Sequence, residues 1–272
     1  MGYAFDFKVR ELKNEPTLQY IRDSWLMAMA EMDSEQRATW EAIYDKKNEE
    51  FLKNPPVGKD LLRWKYQRYV KEYCRTIRSV DEQVGRLLDY LEEKGVLDNT
   101  VIVYTSDQGF LLGEHGLYDK RFMYEESFRT PLIISCPSLV KQHSVCKELV
   151  QNIDLAPTFL SLAGVEVPKE MSGRSLLPLF KNGKAENWRN ELYYHFYDYP
   201  AVGSVRKHDG IRTKRYKLIH WHGEGSGNDE AIDFWELYDL KKDVMEVNNV
   251  YDNPKYVKVR EALTVQLEKL RK

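Results

Sequence analysis

The tetrapeptide Ser106-Asp107-Gln108-Gly109 carries the strongest chemical signal in this 272-residue chain. A carboxylate and a side-chain amide oxygen stand next to each other, and the glycine after them lets the backbone turn sharply. Such a pair offers hard oxygen ligands of the kind that Ca²⁺ or Mg²⁺ takes. Gly113-Glu114-His115-Gly116 and then Lys120 follow closely, adding an imidazole and an ammonium to the same stretch. An ammonium suits an oxyanion whose charge grows as a bond breaks, and an imidazole hydrogen-bonds substrate oxygens or acts as an acid. Each residue also has a plainer use: an Asp/Gly turn that closes a strand, an exposed loop lysine, a histidine that caps its own loop.

The surrounding pattern decides how these residues are held. The run 101–105, Val-Ile-Val-Tyr-Thr, is apolar on both faces, which suits a central strand covered by helices, and Ser106 stands at its C-terminal end. A second such run is 131–135. Before them, Trp64, Tyr69, Tyr73, Ile77, Val80, Val84, Leu87, Leu88 and Leu91 recur at three- and four-residue steps and predict one long amphipathic helix from 60 to about Gly95. Asp33 and Gln36 have capping-box spacing for a helix through Phe51, which Asn54-Pro55-Pro56 stops. A helix over 152–163 places Asp154 near its positive end and Gly164 as its stop. Helix, buried strand, loop, buried strand and helix indicate an α/β fold with its ligands at a strand's C-terminal end. Beyond Pro168 the texture changes: the runs 192–197, 211–221 and 235–240 predict antiparallel strands, and 254–270 a final helix. The expected boundary lies near 185, dividing the chain into 1–185 and 186–272.

The stretch 100–131, TVIVYTSDQGFLLGEHGLYDKRFMYEESFRTP, resembles the second signature region of the formylglycine-dependent sulfatases, within the alkaline phosphatase superfamily. The likeness extends to Ser79-Val80-Asp81-Glu82-Gln83-Val84-Gly85, Asn152-Ile153-Asp154-Leu155-Ala156-Pro157-Thr158, Gly173-Arg174-Ser175-Leu176 and Trp235-Glu236-Leu237-Tyr238-Asp239-Leu240. Segments 32–49 and 195–220 look most like the N-acetylglucosamine-6-sulfatases and bacterial glycosaminoglycan sulfatases. The resemblance implies the C-terminal part of an alkaline-phosphatase-like α/β sandwich, plus a small antiparallel-sheet C-terminal subdomain with a terminal helix. It also implies a sulfated carbohydrate as substrate, Asp107 and Gln108 as two Ca²⁺ ligands, and Lys120 over the sulfate and its bridging oxygen. His115 is placed beside that site, and His208 where the C-terminal subdomain closes on the sugar; a surface loop is the alternative for His208. By analogy with the family, the setting is periplasmic, secreted or lysosomal.

The family's nucleophile motif, Cys or Ser in C/S-x-P-x-R, has no match. Cys74-Arg75-Thr76-Ile77-Arg78 has Thr in place of Pro, and Cys136-Pro137-Ser138-Leu139-Val140 has Pro one place early and no Arg. The upstream Asp pair, Lys and His also lack counterparts before Asp107. The expectation is therefore a C-terminal half whose partner is a missing N-terminal half bearing the formylglycine, with an incomplete Ca²⁺ site and no turnover alone. A phosphohydrolase of the same superfamily and a non-catalytic assembly module are the alternatives. Glu125, Glu126 and Arg129 are expected to be scaffold, with a solvated ion pair between Glu and Arg. His220 and His222 point to one side of a strand, where an ordinary strand face is weighed against a metal pair.

Composition excludes several other classes. A formal net charge of −2 creates no field that would draw the chain onto nucleic acid or an anionic membrane. The three cysteines form no CxxC pair and no even set, which leaves at most one bridge, Cys136 to Cys146. Asp6, Lys8 and Arg10 at the start are unlike a signal peptide, and no run is apolar enough to span a bilayer. The aromatic fraction of 12% suits stacking on sugars as well as burial.

Overall fold

The computed structural model describes residues 26–27, 29–199, 205–223 and 230–271. It forms two compact units, Met1–Tyr90 and Leu91–Lys272. In the first unit, helix α1 (Ser34–Lys53) begins as the capping-box spacing predicts. Asp33 Oδ1 accepts from the backbone N–H of Gln36 at 2.8 Å, and the Gln36 side chain accepts from that of Asp33 at 3.1 Å. Helix α2 (Gly58–Glu93) turns back after the proline pair. The two helices meet through the Phe51 and Trp64 rings, 4.2 Å apart, and through Arg68, which donates to Asn48 at 3.2 Å. No residue of α2 is buried, so its apolar stripe reaches solvent at Leu62 and Ile77.

The second unit opens with β1 (Ile102–Thr105), which pairs antiparallel with β4 (Leu132–Ser135). Both strands lie where expected, yet Tyr104 and Ile133 are exposed, and no third strand joins the pair among the described residues. The expectation of strands buried on both faces is therefore not met within this chain. Between them run β2 (Leu111–Leu112), β3 (Tyr118–Asp119) and the short helix α3 (Glu125–Phe128). Helix α4 (Leu155–Leu162) follows a 3₁₀ turn at Asn152–Asp154, and α5 (Leu177–Phe180) packs beside it.

The C-terminal part is a four-stranded antiparallel sheet in the order β5 (Glu191–Phe196), β6 (His208–Thr213), β7 (Tyr216–Gly223) and β8 (Ile232–Asp239). The run 211–221, read as one strand, is in fact a hairpin that turns at Lys214-Arg215, where Thr213 Oγ1 accepts from the Tyr216 N–H at 2.9 Å. No Gly, Asn or Pro marks that turn. Helix α6 (Val257–Leu270) lays Leu263 and Leu267 on one face of the sheet, against Ile211, Leu218 and Leu237. On the other face Met123 and Tyr124 pack with Ile219, Trp221 and Tyr238, which ties the site loop to the sheet. This architecture is the C-terminal portion of an alkaline-phosphatase-like α/β fold, completed by an antiparallel sheet and a terminal helix. All three cysteines are free.

Candidate active site at the end of the first strand

The turn that follows β1 is fastened from several directions. Asp107 Oδ1 accepts from the Gln108 N–H at 3.0 Å, and the Ser106 hydroxyl donates to the Gln108 carbonyl at 2.8 Å. Asn152 spans the turn, its side-chain amide donating to the carbonyls of Ser106 and Asp107, both at 3.0 Å. Gly109 N–H donates to Ser127 O at 2.8 Å, and a Cβ at Gly109 would lie 2.0 Å from Glu126 O. Only glycine allows that approach, so the residue that permits the turn also seats it on α3. Asn152 is held in turn by Asp154, whose carboxylate is fully buried; it binds the Arg189 guanidinium and accepts from the backbone of Gln151 and Arg174, each at 2.8 Å.

Lys120 is presented by unusual backbone. Its neighbours Asp119 and Arg121 both have positive φ, 85° and 89°, although neither is glycine. Such conformations cost about 1–3 kcal/mol each and persist where surrounding contacts enforce them. Here an Asp119–Arg121 ion pair closes the segment, and the Tyr194 hydroxyl donates to Arg121 O at 2.7 Å. Burial pushes the Tyr194 hydroxyl up to about 12, so it stays protonated as that donor. The Lys120 ammonium makes no ion pair among the described residues. Asp107, Gln108 and Lys120 line one open groove, together with Arg121, Glu125 and Asn152. Asp107 Oδ2 and the Gln108 side-chain amide make no hydrogen bond among the described residues. Asp107 is exposed and Gln108 half-buried.

The two histidines are placed differently. His115, itself at φ 55°, stacks on Tyr124 at 4.2 Å, and its Nε2 lies 3.5 Å from Glu126 Oε2, beyond hydrogen-bond reach. His208 is neither a surface-loop residue nor open to the groove. It is fully buried in β6, stacked on Trp221 at 4.2 Å, with Nδ1 2.8 Å from Arg206 O and with Nε2 unpartnered among the described residues. Burial pushes its imidazole down to about 4.

Glu125 and Glu126 do not form a solvated pair with Arg129. Glu125 turns inward to Lys217 at 2.8 Å and Arg212 at 3.2 Å. Lys217 is wholly buried, bonded to Glu246 at 2.7 Å and to Met123 O at 2.7 Å, while Glu246 Oε2 accepts from the Glu125 N–H at 2.6 Å. Burial raises the Glu125 carboxyl, but Lys217 and Arg212 outweigh it and hold the group below the usual range; at Glu246 burial dominates and the shift is upward. This network and the Asn152 clamp were not anticipated from sequence. Lys217 and Glu246 sit about 30 residues apart on a strand and in a loop, and no local spacing connects them.

The sulfatase family profile matches residues 28–165, and the N-sulphoglucosamine sulphohydrolase C-terminal profile matches 113–272. An N-acetylglucosamine-6-O-sulfatase of Bacteroides thetaiotaomicron is 46% identical over 98% of this chain and 47% of its own length. The structure of BT4656 in complex with its substrate D-glucosamine-2-N,6-O-disulfate aligns with a TM-score of 0.87 at 45% identity, covering 98% of this chain and 53% of the other. A phosphonate monoester hydrolase of Agrobacterium radiobacter aligns with a TM-score of 0.59 at 27% identity, over 72% of this chain and 39% of the other. The chain thus spans about half the length of the first of these relatives. Together with the strand-end groove, these matches make the chain a member of the sulfatase family.

Proposed function

We propose that the protein represented by this chain hydrolyses the sulfate ester of a sulfated carbohydrate, and that a 6-O-sulfated glucosamine unit is the substrate class. The observation that carries this reading is that Asp107, Gln108 and Lys120 line one groove, while Asp107 Oδ2, the Gln108 side-chain amide and the Lys120 ammonium make no hydrogen bond or ion pair among the described residues. The likeness to the glucosamine-6-sulfatase and to the substrate complex of BT4656 supports the sugar.

The donor set fits part of a Ca²⁺ site: an exposed carboxylate oxygen and an amide oxygen are hard ligands, and Gln108 adds no charge or nitrogen that would favour zinc. When bound, the ion neutralises sulfate charge. Asp107 and Gln108 would hold that ion through their side-chain oxygens, Asn152 keeps their turn rigid, and Lys120 would supply an ammonium to the charge that grows on the ester oxygen as the bond breaks. The formylglycine nucleophile and the remaining ligands belong to polypeptide outside this chain. Calcium takes six or more oxygens, so 1–272 alone binds it weakly and turns over nothing.

The test compares purified 1–272 with the protein that also carries a C/S-x-P-x-R segment, on 6-O-sulfated glucosamine and on a matched phosphate ester. Sulfate release by the second protein alone, lost with Lys120→Ala, is expected. Release by 1–272 alone, or full activity in the variant, sinks the proposal. Preferential phosphate release establishes the phosphohydrolase reading instead, which the phosphonate hydrolase likeness keeps in play. Absence of any partner bearing the motif leaves an assembly module.

A further inference from the structure

We propose that Asp209, His220 and His222 form a transition-metal seat on the four-stranded sheet, separate from the Asp107–Lys120 groove, in which the guanidinium of Arg271 stands in for the metal. None of the three ligands lines that groove. Sheet register builds the cluster: His195 pairs with Asp209, Asp209 with His220, and His220 with Trp235, so one cross-strand row carries two imidazoles around a carboxylate. Residues paired in this way share a face, and His222, two residues after His220, returns to it.

The distances suit a metal. His222 Nε2 lies 3.2 Å from Asp209 Oδ1, and His220 Nδ1 lies 3.9 Å from the same oxygen. Tetrahedral ligands bonded at about 2.0–2.1 Å stand about 3.4 Å apart; the three ligand atoms lie within 4.8 Å of one another, so the two imidazoles must draw together around the ion. A cation already marks the position: Arg271 Nη2 is 2.7 Å from Asp209 Oδ1 and 2.7 Å from His220 Nδ1. The outer shell is also built. His220 Nε2 lies 2.8 Å from Asp233 Oδ1, and donation from Nε2 leaves the Nδ1 lone pair facing inward. A carboxylate on the far nitrogen is the arrangement that fixes and strengthens a metal-binding imidazole. Trp235 stacks on the same ring at 3.9 Å with an interplanar angle of 6°, which holds its plane. Asp209 is buried to 1% exposure, so its charge needs a cation in the folded chain, whether guanidinium or metal.

Two imidazoles and one carboxylate favour Zn²⁺ or another borderline ion over Ca²⁺. Binding exchanges one cation for another, releasing Arg271 and with it the end of α6.

The test is Zn²⁺ titration of the chelator-treated 1–272 chain by equilibrium dialysis, alongside His222→Gln, His220→Gln and Arg271→Gln. One equivalent is expected in the parent, bound about tenfold or more weakly in each histidine variant and about tenfold more tightly once the competing guanidinium is gone. Co²⁺ should give an absorption spectrum of nitrogen and oxygen ligation without a thiolate charge-transfer band. Because His222 lies at the partly exposed edge of the seat, its variant keeps the Arg271–Asp209 pair and tests the site in a folded chain. Unchanged binding in both histidine variants, a thiolate band assigning the metal to Cys74 or Cys146, or loss of binding in Arg271→Gln overturns the proposal.

Discussion

Lys120 and Asn152 separate the two kinds of work that residues do around the groove. The Lys120 ammonium makes no hydrogen bond or ion pair among the described residues, so removing it is expected to cost the fold about 0.5 kcal/mol. Asn152 makes two hydrogen bonds to the carbonyls of the turn, and its loss leaves both acceptors to water. Urea unfolding should therefore show Lys120→Met indistinguishable from the parent and Asn152→Ala destabilised by about 1–2 kcal/mol. A Lys120→Met chain that loses as much as Asn152→Ala would recast the lysine as structural. The two positive-φ neighbours of Lys120 point the same way. Backbone strain at Asp119 and Arg121 is offset by the pairing of Asp119 with Leu111, by the Tyr194 hydroxyl and by the Asp119–Arg121 pair. Asp107, Gln108 and Lys120 were readable because their types, order and spacing are themselves the chemistry. The clamp from Asn152 was not, since a side-chain amide 45 residues away from Asp107 leaves no local pattern.

At the scale of elements, the site depends on how β7 grips the segment that leads into α3. Lys217 enters from β7 and binds Glu246, Glu125 and the Met123 carbonyl, so one buried ammonium fixes strand, loop and helix start together. Replacing it with Met leaves the buried Glu246 carboxylate without its cation and Glu125 with Arg212 alone, and the expected loss is about 3–5 kcal/mol in urea unfolding. Lys217→Met combined with Glu246→Leu removes one stranded charge along with the ammonium and should recover a large part of that loss. Equal destabilisation of the single and double variants would show that Lys217 acts through packing alone. Helix limits were legible, since the Asp33–Gln36 box and Gly164 state their ends locally. The hairpin inside 211–221 was not. Its turn, Lys214-Arg215, is built from residues that signal no turn, and the reversal is enforced by Thr213 and by the Arg215–Asp239 pair at 2.9 Å. Burial on both faces of β1 and β4 was read from composition, but composition states what a strand can bury and not which polypeptide covers it.

Across the whole molecule, acid sensitivity follows from the histidines that the sheet encloses. His208 lies among Trp221, Tyr194, Phe196 and Phe122, and burial lowers its imidazole from the ordinary 6.5 to about 4. Burial also lowers His195 and His222, though both have Asp209 opposing the shift. An unfolded chain takes up these protons as pH falls through about 6.5, whereas the folded chain keeps His208 neutral until about 4. Stability from this group is therefore complete above 6.5, falls between 6.5 and 4, and levels below. Asp209, raised by burial but held low by Arg271, and Glu125 with its two cations add losses only below the normal carboxylate range, whereas the upward shift at Glu246 works in the opposite direction. Between pH 7.5 and 5 the His208 contribution amounts to about 2 kcal/mol. Urea unfolding of the sheet-containing unit, followed at both pH values, should show a loss of that order in the parent and a much smaller one in His208→Phe, which preserves the ring stack and removes the proton site. NMR titration of the parent provides the independent check, with the His208 imidazole expected near 4; an imidazole titrating near 6.5, or equal pH slopes in the two proteins, would place the acid sensitivity elsewhere in the fold.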